Sequence, residues 1–250
     1  MGSNRSTTEL HRSLGFVPTP PEMVEFMVHL VAPPPNTPCR VLEPACADAR
    51  FLTAFLHAYG DHHRFVGVEI NADTVEATRP HLHPAIHLVQ ADFLLWDTPE
   101  RFDIILGNPP YNAYAGVSPA EEQGLVEPYK EGLISQWGIK KFNLDDLYVR
   151  FFRVAERKIA EKTGRGIVCF ISSFSYLADP SFVVLRQRFL REFDVLWFDC
   201  LNGDSRETGK LTPEGKPDPS VFSTEFNREG IRVGTAVGLM VRQAQRASKP

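Results

Sequence analysis

The 250-residue sequence has no apolar run long enough to cross a membrane, and Met1-Gly2-Ser3-Asn4-Arg5 is not followed by an apolar signal segment. These two absences point to a cytoplasmic protein. Cysteine is scarce: Cys39, Cys46, Cys169 and Cys200 fall at no metal-ligand spacing, and three of them lie in or beside predicted strands. Reduced core thiols are expected, with neither a metal site nor a disulfide framework. Excess positive charge is missing too. A net charge of −4 gives no global attraction for nucleic acid, so DNA binding would depend on a local basic surface or another subunit. No Gly-Lys-Ser/Thr phosphate loop occurs, and the turn Ala45-Cys46-Ala47-Asp48-Ala49 lacks the glycine that close approach to a pyrophosphate needs. Internal repeats and low-complexity tracts are absent.

What is present is an alternation of strands and helices. With 43% hydrophobic residues, the chain can bury one substantial core and fits a single α/β domain over residues 1–250. Met23, Val24, Phe26, Met27, Leu30 and Val31 recur at near-helical spacing and predict a helix over 20–31, N-capped by Thr19 and ended by Pro33-Pro34-Pro35. Further helices are predicted over 50–59, 145–162 and 180–192. Strands are predicted at 39–43, 65–70, 86–90, 102–107, 166–173, 195–200 and 233–241, which implies a mostly parallel sheet. Two glycine- and proline-rich polar segments interrupt the pattern, at 112–141 and 202–232. The first is read as a long irregular loop over the sheet edge.

The strand at 102–107 runs into Asn108-Pro109-Pro110-Tyr111, where two prolines stop it at its carboxyl end. Open α/β sheets hold their ligands at that edge. The Asn108 side-chain oxygen and the Pro109 carbonyl can accept the two hydrogens of an exocyclic amino group, and Tyr111 can stack on the ring that bears it. The three preceding strands end in acidic residues: Glu43, Glu69 and Asp92, the last followed by Phe93. Glu69 is placed to accept the hydroxyls of a ribose, and Asp92 to accept from an adenine amino group. With no phosphate cradle beside them, these acids suit a phosphate-free nucleoside carrying a cationic group. S-adenosylmethionine is such a molecule.

The motifs Thr19-Pro20-Pro21-Glu22, Val41-Leu42-Glu43-Pro44-Ala45-Cys46-Ala47, Phe65-Val66-Gly67-Val68-Glu69-Ile70, Ala91-Asp92-Phe93-Leu94-Leu95-Trp96 and Gly107-Asn108-Pro109-Pro110-Tyr111 occur in that order. Taken together, the sequence resembles the gamma-class amino-methylating DNA adenine methyltransferases, of the TaqI-methyltransferase-like type, over roughly residues 14–242. Its later segments are similar to the methyltransferase regions of large single-chain restriction–modification or phage-defence enzymes. The resemblance implies a Rossmann-like, class I S-adenosylmethionine-dependent methyltransferase fold with a seven-stranded sheet, acting on a flipped adenine in DNA.

Carried over residue by residue, the resemblance places Thr19 and Ala45 near the methionine moiety of the cofactor, within the turn that includes Cys46, and Glu43 beside its amino group. Glu69 would bind the ribose, Ile70 and Phe93 would sandwich the adenine, and Asp92 would accept from it. Pro110 and Phe151 would line the same pocket. Asn108, Pro109, Pro110 and Tyr111 would form the catalytic turn, with Phe222 or Phe226 as a second stacking aromatic. Family members normally continue into a target-recognition domain. None is read here, so the chain is expected to bind DNA weakly, through patches such as Lys140-Lys141 and Arg186, Arg188 and Arg191, and to take its specificity from a partner subunit or a further region. Two alternatives stay open: methylation of a protein glutamine, which poses a similar amide-nitrogen problem, and an inactive cofactor-binding remnant.

Overall fold

β1 (Arg40–Pro44) buries Val41, Leu42, Glu43 and Pro44 in succession, so neither of its faces is solvated. A strand of that kind belongs at the centre of a covered sheet. In the computed structural model β1 pairs in parallel with β2 (Arg64–Glu69) on one side and β4 (Ile104–Gly107) on the other. β3 (Ile86–Gln90) extends the sheet beyond β2, and β5 (Gly166–Ser173) beyond β4, both in parallel. β7 (Thr235–Arg242) then inserts antiparallel between β5 and the edge strand β6 (Val195–Cys200), giving seven strands in the order 3-2-1-4-5-7-6. The expected mostly parallel sheet is thus observed, with β7 as its one reversed strand. The structure describes residues 17–111, 124–142, 144, 146–201, 211, 214–215, 220–222 and 233–246.

Helices cover both faces. α1 (Pro21–Leu30) packs on α2 (Arg50–Tyr59), and the pair buries Met27, Val28, Phe51 and Phe55 in a cluster shared with Phe65, Ile104 and Val237. A second cluster joins Leu42, Val66, Ile105 and Val168 to α5 (Leu147–Glu156) and α7 (Val183–Glu192). Three short helices had no sequence signal: α3 (Ala72–Thr78), α4 (Glu127–Lys130) and α6 (Ser175–Ala178).

Several predicted boundaries move for identifiable reasons. The helix expected over 145–162 is α-helical only to Glu156. It continues as a π-helical segment, Arg157–Thr163, whose wider turns carry Lys158, Ile159 and Ala160 into buried positions. The helix expected over 180–192 opens on a 3₁₀ turn, Pro180–Phe182, whose first turn is capped by the Asp179 side chain. Thr19 is not the N-cap of α1. Pro20 occupies that position without a side-chain cap, and the Thr19 hydroxyl is engaged elsewhere. The described part of the expected loop 112–141 is mostly turns around the short helix α4, and it is anchored, since Leu125, Val126, Tyr129 and Leu133 pack into the core beside α5 and α7. Its glycines sit at turns, with Gly132 and Gly138 both at positive φ, and mask the apolar positions between them.

α7 also corrects the expected basic surface. Arg188 is drawn inward to the buried Glu156 carboxylate, which also accepts a 2.7 Å hydrogen bond from the Tyr129 hydroxyl. Arg186 donates to the carbonyls of Tyr176 and Asp179, both at 2.9 Å. Only Arg191 of the three stays largely exposed, and it faces Glu192 at 3.0 Å. Lys140 and Lys141 remain on the surface. Because the fully buried Glu156 neutralises the part-buried Arg188 guanidinium, Glu156→Ala is expected to cost about 3 kcal/mol in denaturant unfolding. Tyr129→Phe, which removes a single hydrogen bond from the same carboxylate, should cost about 1 kcal/mol. Equal losses from the two variants would show that Arg188 finds its neutralising charge elsewhere.

Candidate active site

Parallel register gathers the predicted site residues at one edge. Glu43 lies opposite Gly67, Glu69 opposite Gln90, and Gly107 opposite Phe170, so the carboxyl ends of β1 to β4 converge. Gly107 has φ +154, and a Cβ there would lie 3.6 Å from the Glu43 Cγ, which places the Asn108 turn directly beside the Glu43 side chain. The β4–β5 ladder ends at Gly107, leaving Pro109 and Pro110 beyond it.

Behind that edge, the turn after β1 adopts an unusual conformation. Ala45, Ala47 and Ala49 have φ of +53, +47 and +56, the left-handed region that costs a residue with a Cβ about 1–2 kcal/mol. Fixed hydrogen bonds hold it there. The Cys46 N–H donates to the Val68 carbonyl at 2.9 Å, and the Ala49 N–H to the Cys46 carbonyl at 2.7 Å. The Ala47 N–H reaches the Glu69 carboxylate at 3.0 Å. The other Glu69 oxygen accepts from the Asn71 N–H at 2.9 Å, so this carboxylate braces the turns after β1 and β2 against each other. Each of its oxygens keeps a second lone pair for another donor. Cys46 is buried against Gly67, where a Cβ would meet its Sγ at 2.8 Å. Burial, and then the nearby Glu43 and Glu69, push its thiol well above the ordinary range, so it is a neutral packing group.

Glu43 is buried and accepts from the Leu52 N–H at 3.1 Å, facing the first turn of α2. Loss of hydration outweighs those backbone donors and holds its carboxyl well above the usual range. Asp92, half-buried, turns one oxygen back onto the Leu94 N–H at 2.9 Å as a local cap. Phe93 is buried and lies 5.0 Å from Phe151 at an interplanar angle of 39°, so the aromatic predicted on α5 does reach the neighbourhood of Asp92. Ile70, directly after β2, is 55% exposed. Lys158 is a neighbour that no motif announced. Its Nζ sits 4.7 Å over the Trp96 ring and 5.8 Å from Phe93, and burial pulls its pKa down to about 8.

Asn108 has a fixed orientation. Its Nδ2 donates to the Val17 carbonyl at 3.0 Å and to the Thr19 hydroxyl at 3.1 Å. Its Oδ1 is buried and has no hydrogen-bond partner. Next to it the Tyr111 hydroxyl is also buried and unpartnered, and burial pushes its pKa far up. The Tyr111 ring meets Phe222 edge-on, with centroids 6.2 Å apart and planes at 77°. Of the two late aromatics proposed for stacking, Phe222 is therefore at the turn, though as a T-shaped contact and not as the second plate of a parallel clamp. Phe226 lies outside the described residues. Among the described residues no cluster of His, Cys, Asp and Glu could hold a metal ion.

The 3-2-1-4-5-7-6 sheet and its carboxyl-edge site define the fold of class I S-adenosylmethionine-dependent methyltransferases. The chain belongs to the Eco57I restriction-modification methylase family, whose pattern it matches over residues 68–199. It is 42% identical over 187 residues to the type II methyltransferase M.TthHB8I of Thermus thermophilus, a match covering 72% of this chain and 40% of that protein. A shorter match, 39% over 74 residues, relates it to the type II methyltransferase M.CvrRI of Paramecium bursaria Chlorella virus XZ-6E, over 30% of this chain and 19% of that one. The chain thus spans less than half the length of these relatives. Among solved structures, the DrdV–DNA complex superposes with a TM-score of 0.74 at 19% identity, over 95% of this chain and 27% of that one. The DNA-bound type ISP restriction-modification enzyme LlaBIII gives 0.71 at 17% identity, over 93% and 19%.

The left-handed alanines allow a direct stability test. Ala45→Gly removes the Cβ penalty but adds freedom to the unfolded chain, for a net gain of about 0.5–1 kcal/mol. A rise in Tm of about 2–4 °C is expected. A fall of the same size would show that the Ala45 methyl is needed for packing.

Proposed function

We propose that this chain transfers a methyl group from S-adenosylmethionine to the exocyclic amino nitrogen of an adenine flipped out of duplex DNA, as the methyltransferase part of a restriction–modification enzyme. The observation that carries the proposal is Asn108 Oδ1, a buried acceptor with no donor, set at the sheet edge beside three strand-end acids. An amino group brings two hydrogens. Oδ1 accepts one and the Pro109 carbonyl the other, which withdraws the nitrogen lone pair from the ring and directs it along the transfer axis. A strong base is not required before transfer, because orientation supplies the rate. A stacked, paired adenine cannot present that nitrogen, so the base must leave the duplex. Tyr111 and Phe222 offer the apolar surface that receives it, once their edge-on contact opens.

The residues fit the cofactor. Glu69 retains lone pairs for ribose hydroxyls, the Asp92 oxygen not used by the Leu94 cap suits an adenine amino group, and Ile70 and Phe93 supply apolar contact on either side. Glu43 faces a cationic amino group. The glycine-free turn achieves close backbone approach through left-handed alanines. When bound, S-adenosylmethionine supplies an electrophilic methyl group on a sulfonium sulfur. The type II methyltransferase relatives and the DNA-bound structural neighbours support DNA as the acceptor. With a net charge of −4 and with Arg186 and Arg188 committed internally, duplex affinity is proposed to be weak without a specificity subunit or region.

Transfer of labelled methyl groups to plasmid DNA tests the proposal. Asn108→Ala should abolish transfer while changing cofactor affinity little, whereas Glu69→Ala should weaken the cofactor by about 1–3 kcal/mol. Labelling of a glutamine-containing protein in place of DNA would overturn it.

Glu43 adds a pH signature. Its raised carboxyl contributes stability that is fully present below the ordinary value of 4.5 and is lost as pH rises through its folded value. A cationic ligand favours the ionised form, so binding drives a proton off Glu43, and affinity climbs with pH until Glu43 ionises in the free protein. Calorimetric titration in buffers of different ionisation enthalpy should report release of up to about one proton. Glu43→Gln should remove that release, and its persistence in the variant would assign the proton to another group.

A further inference from the structure

The segment before α1, which the sequence resemblance sets near the methionine moiety of the cofactor, also reaches the Asn108 turn. Thr19 is only 2% exposed, and its hydroxyl is committed to Asn108 Nδ2 at 3.1 Å. The other Nδ2 contact is the Val17 carbonyl at 3.0 Å, which can only accept, so the nitrogen of the amide must face this segment. The two acceptors together use both Nδ2 hydrogens and leave Oδ1 bare on the opposite side. The segment is itself tethered. Arg50 Nη1 donates to the Thr19 carbonyl at 2.6 Å, and Asp48 grips the same guanidinium at 2.9 and 2.6 Å. Asp48 and Arg50 flank the last left-handed alanine of the turn after β1, so that turn is linked through Thr19 to the acceptor-binding amide.

We infer that the segment Val17–Thr19, tethered by Arg50 and Asp48, fixes the flip state of the Asn108 amide, the Val17 carbonyl setting its direction and Thr19 acting as a positioning residue that supplies the second acceptor, and thereby selects amino-bearing over carbonyl-bearing ring edges. The inference rests on the methyl-transfer role proposed above and adds a residue and a selectivity to it. A reversed amide would present two N–H donors to the incoming amino group, which also donates, and the site would repel it. The same reversed amide would suit a ring carbonyl. The direction of one side-chain amide thus separates the two classes of base edge; the Val17 carbonyl sets it, and the Thr19 hydroxyl holds the amide there.

Three versions of the full chain test this: wild type, T19V, which keeps the shape but loses the acceptor, and T19S, which restores it. The first readout needs no activity: hydrogen exchange of the Asn108 side-chain amide protons by NMR, assigned by their disappearance in N108A. Slow exchange in wild type and T19S, with exchange about tenfold faster in T19V, is expected. Equal exchange in all three would overturn the lock whatever the activity. The second readout is methyl transfer to plasmid DNA at saturating S-adenosylmethionine. T19V should lower kcat about tenfold with cofactor Kd within about threefold of wild type, and T19S should recover most of the loss. A loss of cofactor affinity in T19V with kcat unchanged would overturn the proposal and make Thr19 a cofactor contact. Equal kcat losses in T19V and T19S would overturn it in favour of packing. A protected amide in a wild-type chain that methylates no acceptor would sink the methyl-transfer role and with it the selectivity argument, leaving the lock as structure alone.

Discussion

Parallel pairing of β1 between β2 and β4 is the constraint on which the site depends. In that register each strand ends at the same edge, so Glu43, Glu69, Asp92 and Asn108 meet although 65 residues separate the first from the last. A slip of one residue in any of these pairings would turn the strand-end side chain to the opposite face. The Glu69 carboxylate fastens the arrangement, because one oxygen holds the turn after β1 and the other the turn after β2. An acid suited to a ribose is therefore also the brace between the loops that would enclose it.

The sheet edge carries several of the fold's costs. Three alanines in left-handed conformation, a buried carboxyl raised by desolvation, and two buried acceptor or donor atoms without partners all lie within a few residues of the strand ends. Such features persist only where the surroundings over-determine them, and they cluster where a ligand completes the structure. Under α5 and α7, Glu156 accepts from Arg188 and Tyr129 beside an aromatic core of Phe152 and Phe189, in which the Tyr148 and Tyr176 hydroxyls are likewise buried without hydrogen-bond partners.

Much of this was legible in the sequence because strand-end motifs carry their own signal. The apolar runs located the seven strands to within two residues, and the acids and the Asn-Pro-Pro-Tyr turn marked the sheet edge where the proposed site lies. The rest failed for physical reasons. Thr19 looks like an N-cap because a hydroxyl before two prolines usually is one, but a partner 89 residues away took it instead. Arg186 and Arg188 look like a basic patch because charge runs usually face water, yet a buried carboxylate and two carbonyls claim them. The Val17 contact is a backbone carbonyl and leaves no trace in residue identity. Lys158 is brought over Phe93 and Trp96 by a π-helical segment, which no regular periodicity announces. Phe222 and Phe226 could not be separated by sequence, and the tertiary contact with Tyr111 brings Phe222 to the turn.

The most direct measurement is the identity of the methylated product. DNA incubated with the chain and S-adenosylmethionine carrying a labelled methyl group is digested to nucleosides and resolved by mass spectrometry. A site built around acceptors for amino hydrogens should put the label on an exocyclic amino nitrogen, which for the proposed adenine acceptor gives N6-methyldeoxyadenosine. Label on a ring carbon of cytosine would contradict it, since that chemistry needs a nucleophile where the structure has Asn108.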